Sequence, residues 1–291
     1  MINNIAYYPE QCAKNSTPVM EAFLNSCRTA GITPVENGLD CDAVVIWSIL
    51  WNGRMVKNKR TYEHYRLLGK PVVIIDAGAL EREVTWKIAV DNITSEGYYG
   101  HTKNLNWDRP GKLGVSLENN TLNDRILIAA QHNKSLQWDG MPSLEDWTVE
   151  LIHKIRQHSD RSIVVRQHPR CPFFIPPQRF KMLLMNKVIK DCVLEKPMQV
   201  EGTYDAFDID YNYHCVVNYC SGPGTNAVIA GSNVLVDKKS LAYPMSIELE
   251  QIENPPQKDR EQWLVEISHT EYTVDEIKQG LWLKRLKDSL V

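Results

Sequence analysis

At 291 residues the chain is long enough for two domains of ordinary size, and its 43% hydrophobic content supports packed cores and excludes a disordered or fibrous protein. Thirty-three basic residues against 36 acidic ones leave a formal charge of −3. That balance excludes nucleic-acid binding driven by bulk charge, so any such contact has to be local and shape-specific. Seven cysteines (Cys12, Cys27, Cys41, Cys171, Cys192, Cys215 and Cys220) form no CxxC pair and no zinc spacing, and their odd number argues for a reducing compartment. The start "MINNIAYYPE" has neither a basic segment nor an apolar one of signal-peptide type, and no apolar run reaches the ~20 residues of a membrane helix. The expected location is the cytoplasm, that of a host if the protein is viral, with no membrane partner.

In chain order, "NIAYY" (4–8) reads as a strand. "STPVMEAFLNSCRTAG" then gives a helix with Ser16 or Thr17 as cap, Pro18 in its first turn and Gly31 beyond its end. "AVVIWSIL" (43–50) and "PVVIIDAG" (71–78) are continuous apolar runs, the pattern of strands covered on both faces. Between them "KNKRTYEHYRLLGK" is a basic helix ending at Gly69. Strand–helix alternation of this kind implies right-handed crossovers and a parallel sheet. The stretch "GYYGHTKNLNWDRPGKLGVSLENNTLNDR", rich in Gly, Asn, Asp and Pro, reads as a passage between domains.

A second alternation follows. "RILIAAQ" (125–131) is a strand and "SLEDWTVELIHKIRQHS" a helix capped by Ser143 with Asp146 three residues later. "SIVVRQHPR" is a strand, "QRFKMLLMNKVI" a helix, "CVLEK" a short strand, and "AFDIDYNYHCVVNYC" passes from helix to strand. The tail reads as two helices, with Thr273 and Glu276 forming a capping box for the second. Both halves share one architecture: α/β, two Rossmann-like doubly wound domains facing a central cleft. The expected division is 1–115 for the first, 116–265 for the second, and 266–291 as a C-terminal helix packing back on the first.

Two loops at carboxyl ends of strands carry candidate chemistry. In "VVNYCSGPGTNAVIAG", a strand runs into Ser221, Gly222, Gly224 and Thr225 and then a small-residue helix, which presents a helix N-terminus to the sheet edge. Free N–H groups and the positive dipole end there suit a phosphate, although the spacing is neither GxGxxG nor a P-loop. Glycines in such a turn also occur for the turn alone. In "RQHPR", His168 and Arg170 follow a buried strand and offer further donors to an anion; a solvated basic loop is the other reading.

With "HPR" after a strand and "SGPGTNAVIAGSNVLV" further on, the chain resembles the C-terminal half of the GT-B glycosyltransferases. The longer segment from "ILIAAQHNKSLQW" to "VVRQHPR", with the tail "EYTVDEIKQGLWLKRL", resembles a group of bacteriophage proteins, some of which glycosylate hydroxymethylated pyrimidines in DNA. The likeness covers roughly residues 126–286; the N-terminal half matches in architecture only. The resemblance implies a nucleotide-sugar co-substrate, in the first instance a UDP-sugar, with no other cofactor and no metal. Ser221, Gly222, Gly224 and Thr225 would cradle its diphosphate beside His168 and Arg170, and Gln131 and His132 would meet the phosphate or sugar. Asp237 would touch sugar hydroxyls. Asn226 stands where such proteins often hold a glutamate, which leaves the ribose contact open.

An inverting transfer needs a base, and Asp76, ending the run "PVVIID", is the candidate; it also reads as a cap of the following turn, and a retaining transfer would need no base. Trp51, Arg54, Lys57, Lys59 and Arg60 would grip the phosphates and a base of an acceptor, double-stranded DNA with modified pyrimidines such as hydroxymethylcytosine. A solvated helix face is the alternative for that segment. Two other functions fit the same residues: transfer to a polysaccharide or other glycan, and a non-catalytic nucleotide-binding module.

Overall fold

The computed structural model of the chain describes residues 2–103, 105–186, 189–203 and 207–290. In chain order its strands and α-helices begin with β1 (Asn4–Tyr7), α1 (Thr17–Thr29), β2 (Thr33–Glu36), β3 (Ala43–Trp47), α2 (Asn58–Leu67), β4 (Val72–Ala77), β5 (Thr85–Val90) and α3 (Arg109–Lys112). There follow β6 (Ile126–Ala129), α4 (Leu144–Ile155), β7 (Ile163–Arg166), α5 (Pro177–Met185), β8 (Cys192–Glu195), β9 (Met198–Gln199) and β10 (Phe207–Asp208). The last are β11 (Cys215–Asn218), α6 (Gly222–Ala230), β12 (Asn233–Val236), α7 (Glu261–Ser268), β13 (Glu271–Thr273), α8 (Val274–Lys278) and α9 (Leu281–Leu286). They form two compact units, one of Met1–Val115, Lys134–Gln137 and Leu264–Val291, the other of Ser116–Asn133 and Trp138–Trp263.

The first unit is built on a sheet of strand order β13-β5-β4-β3-β1-β2. Alternate residues of its strands go to opposite faces. Val45, Trp47, Val73, Ile75, Trp86 and Ile88 pack with Val19, Phe23 and Cys27 of α1 and with Trp282 and Leu286 of α9. Val44, Ile46, Val72, Ile74 and Ala89 pack with Tyr65 of α2 and with Ile93. Both faces are covered, which is why β3 and β4 read as unbroken apolar runs. Trp282, fully buried, stacks on Phe23 at 4.3 Å and donates its indole N–H to Ser26 Oγ at 2.9 Å.

This sheet is mixed rather than wholly parallel. β2, β1, β3 and β4 are parallel, but β5 returns antiparallel to β4, and β13 antiparallel to β5. The short loop between β4 and β5 leaves no room for a crossover helix, so the strand can only fold back. The tail differs too: three helical segments, α7 to α9, flank the strand β13, which forms the sheet's edge. Arg109 fastens that tail, donating to Ser268 O at 2.8 Å, to Glu271 O at 2.6 Å and to both oxygens of Glu276 at 2.7 and 3.0 Å.

The second unit holds a five-stranded, all-parallel sheet of order β12-β11-β6-β7-β8. Ile126, Ile128, Ile163, Val165, Cys215 and Val217 form one core face with Ile152 and Ile155 of α4. Ser143 caps α4 by accepting from Asp146 N at 3.0 Å. α6 ends at Gly231, whose φ of +97° is open to glycine without strain. The helix expected over "QRFKMLLMNKVI" is α5, and Lys187 and Val188 lie outside the described residues. Before β11 there is no helix among the described residues: 207–208 pair as β10 antiparallel to β9, while Ala206 lies outside them.

Candidate functional site

In the second unit the chain runs β6, β7, β8 outward in one direction, then returns to lay β11 and β12 on the other side of β6. The order therefore reverses between β6 and β11, and in open parallel sheets the crevice beyond the carboxyl ends at such a reversal is where ligands bind. Asn218, Ala129 and Arg166 lie level across three strands at that edge.

Side chains stitch the loops after β6 and β11 together. Asn218, 2% exposed, donates through Nδ2 to Ala129 O at 2.7 Å and to Ser221 Oγ at 3.1 Å, and accepts Ser221 N–H through Oδ1 at 2.8 Å. Gln131, also 2% exposed, accepts Cys220 N–H at 3.1 Å. Its Nε2 is buried and makes no hydrogen bond among the described residues. A buried amide N–H without a partner is rare, because desolvating it costs free energy that nothing repays.

The start of α6 differs in detail from the expected cradle. Ser221 is the N-cap residue, yet its hydroxyl serves Asn218 and caps no helix N–H. Pro223 in the first turn contributes no N–H, which leaves the Gly222 amide as the first N–H of the helix. Gly224 has a packing reason to lack a side chain: a Cβ there would stand 3.1 Å from Val236 and 3.5 Å from Ser240 and Ala242. Thr225 is buried, and Asn226 half-buried in the helix. Asp237 ties its own loop, donating N–H to Tyr219 O at 2.9 Å and accepting from Lys239 N at 3.0 Å through Oδ1.

Beside this turn, His132 is buried and His168 half-buried, with rings 5.2 Å apart and nearly perpendicular. His168 Nδ1 accepts Arg170 N–H at 3.1 Å, and Cys171 donates its thiol to Asn133 at 3.0 Å, so the loops after β6 and β7 are joined as well. Arg170 is exposed. Gln131, His132, His168 and Ser221–Gly222 thus line one sheet edge, which suits an anionic group held by amides and imidazoles. Asn218 is absent from the sequence-based set. The register that makes it the hinge of the reversal depends on a partner 89 residues away.

Asp76 stands in the first unit near the end of β4, half-buried. Desolvation pushes its carboxyl above the usual aspartate range, against the lowering effects of Ala77 N–H, Ser48, Lys87 and Arg82. Its Oδ1 accepts Ala77 N–H at 2.7 Å and its Oδ2 accepts the Ser48 hydroxyl at 3.0 Å. The following turn is held by Glu271, which accepts Ala79 N–H at 2.7 Å, Leu80 N–H at 3.1 Å and the Thr85 hydroxyl at 2.7 Å. Gly78 is required there, since a Cβ would collide with Glu271 Oε2 and Thr85. The turn-cap reading of Asp76 is thus partly realised, but only one of its oxygens is used for it.

Of the expected acceptor residues, Trp51 is half-buried against Tyr62, ring centroids 5.9 Å apart, and its Nε1 makes no hydrogen bond among the described residues. Arg54 and Lys57 lie in a 3-10 turn before α2, Lys59 and Arg60 in its first turn. Arg54, Lys57 and Arg60 are exposed, whereas Lys59 pairs with Glu63 at 3.9 Å. Among the described residues no group of three or more His, Cys, Asp or Glu is arranged to hold a metal ion, and no helix is long and apolar enough to cross a membrane.

No protein-family model matches the chain, and no curated protein matches it. Among solved structures, the β-Kdo 2,4-transferase of Thermosulfurimonas dismutans KpsC superposes with a TM-score of 0.52 at 10% identity, over 96% of this chain and 98% of that one. The β-Kdo 2,7-transferase of the same protein gives 0.47 at 12% identity over 96% and 98%. A Neisseria meningitidis UDP-GlcNAc 2-epimerase bound to UDP-GlcNAc gives 0.30 at 10% identity over 98% and 99%. The last two scores are too low to bear on anything further. The first shows the fold, which is GT-B-like: two α/β units, each built round a largely parallel sheet.

Proposed function

We propose that the protein is a glycosyltransferase that moves a sugar from a nucleotide-sugar donor, in the first instance a UDP-sugar, to an acceptor hydroxyl. The observation that carries this reading is the reversal between β6 and β11, where the uncapped start of α6 and the unpaired Gln131 amide meet. A donor phosphate placed there would accept from Gly222 N–H and Gln131 Nε2, with His132, His168 and Arg170 adding donors.

In the reaction, Asp76 as carboxylate takes the acceptor hydroxyl's proton while that oxygen bonds to the sugar's anomeric carbon. The bond from the anomeric carbon to the phosphate oxygen breaks, and the nucleotide leaves with the electron pair. Burial of Asp76 raises its basicity toward neutral pH, which suits that task.

For the acceptor we propose a hydroxymethylated pyrimidine in DNA, supported by the exposed Arg54, Lys57 and Arg60 beside the half-buried Trp51. A glycan acceptor is the second reading, favoured by the fold shared with a Kdo transferase. Incubation with nucleotide sugars and either DNA containing hydroxymethylcytosine or hydroxymethyluracil, or sugar oligomers, followed by mass analysis, separates them. A hexose or pentose adduct on nucleosides supports the first, an elongated oligomer the second. Absence of any adduct together with absence of nucleotide binding overturns both and the donor site with them.

A further inference from the structure

On the α2-facing side of the first sheet, near the carboxyl end of β4, four polar side chains stand level across four neighbouring strands. Asp76 is in register with Lys87 on β5, and Lys87 with Glu271 on β13. Ser48, directly after β3, donates its N–H to Ile75 O at 2.7 Å and so stands beside Asp76. This row sits in an otherwise apolar layer, and its members have different tasks. Glu271 spends its carboxylate on two backbone amides and a hydroxyl, which anchors the turn after Asp76. Asp76 is left with the freer carboxylate.

Ser48 is the unusual member. It is 5% exposed and has φ of +62°, in the left-handed region that side chains other than glycine rarely adopt. Glycine would take that backbone with no steric cost but brings no hydroxyl. The Ser48 Oγ accepts Leu50 N–H at 3.1 Å, so one lone pair is occupied and the rotor is set. Its own hydrogen is directed to Asp76 Oδ2 at 3.0 Å. With Oδ1 held by Ala77 N–H, the carboxylate is fixed at both oxygens, and its plane cannot swing.

We propose that Ser48 is a positioning residue for Asp76, its hydroxyl fixing which lone pair of Oδ2 stays open to take a proton. The inference rests on the reading of Asp76 as the base of the transfer. A strained backbone is retained at residue 48 because the hydrogen bond it delivers orients that base. The hydrogen bond also favours the charged form, opposing the rise that desolvation causes. Lys87, Arg82, Glu271 and the Tyr99 hydroxyl are ionisable groups around Asp76, and substitution at Ser48 leaves all four in the sequence.

The test uses two variants of the full-length protein. Ser48→Ala removes the hydroxyl and keeps a side chain at positive φ; Ser48→Gly removes it and relieves the backbone, which separates the loss of the hydroxyl from backbone strain. The Asp76 carboxyl is titrated by carbon-13 NMR, assigned with Asp76→Asn, and kcat and donor KM are followed against pH. Expected in both variants is a rise of about one to two pH units in the Asp76 titration, the size of a hydrogen bond to a charged group. The acid limb of kcat rises by the same amount, and donor KM stays unchanged. A titration that matches the wild type in both variants overturns the proposal. A wild-type protein that transfers no sugar overturns the reaction assigned above, while the carboxyl titration still decides whether Ser48 governs Asp76.

Discussion

Replacing Asn218 with alanine tests whether the stitched reversal holds the second unit's site together. Asn218 is 2% exposed and serves two backbone groups: Ala129 O, which it reaches at 2.7 Å, and Ser221 N–H, which it accepts at 2.8 Å. Truncation leaves the Ser221 N–H without its acceptor and removes a donor from Ala129 O. At roughly 1–1.5 kcal/mol for each group deprived of its partner, the loss is about 2–3 kcal/mol. Urea unfolding followed by far-UV circular dichroism measures it, and the Ser221 amide, read by hydrogen exchange, loses protection by a similar amount. Asn218→Asp sharpens the test. It keeps an acceptor for Ser221 N–H but sets a second oxygen against Ala129 O. Buried among acceptors, that carboxyl has a folded pKa above its unfolded value, so its penalty is present at pH 7 and disappears as pH falls below the unfolded pKa near 4. The aspartate variant should therefore recover stability on acidification and the alanine variant should not. If Asn218→Ala unfolds within 0.5 kcal/mol of the wild type, with Ser221 equally protected, the reversal is held by something else.

Three further outcomes follow from other parts of the molecule. Asp76→Asn should abolish transfer while leaving nucleotide affinity within about twofold; because burial holds the folded carboxyl above the ordinary aspartate range, ionisation costs the wild type stability as pH rises from that range through the folded value, so the variant gains relative to it over that rise, as thermal unfolding will show. Burial alone would raise Glu276, but Arg109 outweighs it and the carboxyl titrates low, so its contribution is present above 4.5 and lost as pH falls through its folded value; Glu276→Gln should cost about 3 kcal/mol at pH 7, with the gap closing in acid. Trp282→Ala, which empties the stack on Phe23 and removes the bond that Ser26 Oγ accepts, should cost about 3–5 kcal/mol in urea unfolding.

Local features were legible in the sequence because their partners are near in the chain. The cap of α4 by Ser143 and the reciprocal bonds of Thr273 and Glu276 at α8 each span three residues, and both are formed. The buried runs of β3 and β4 announced a sheet covered on both faces. β5 was not legible: Thr85 and Lys87 break its apolar pattern, yet Thr85 is buried because Glu271 accepts its hydroxyl. β13 has three residues, one of them a fully buried glutamate whose partners lie almost two hundred residues earlier, which no periodicity reveals. The same holds for the site. The turn at Ser221 is visible as glycines after an apolar run, but Asn218, Gln131 and Ser48 gain their meaning from contacts across strands and from a backbone angle.

The order in which the chain emerges during synthesis gains weight from β13. The sheet of the first unit lacks its outermost strand, its Glu271 anchor and the Trp282 side of its core until the residues that follow the second unit are made. Nearly the whole second unit, by contrast, is contiguous in sequence and comes off the ribosome earlier. The sheet begun before the second unit is thus completed after it, and in the interval it exposes an open β5 edge and an uncovered aromatic cluster, the surfaces on which nascent chains associate wrongly.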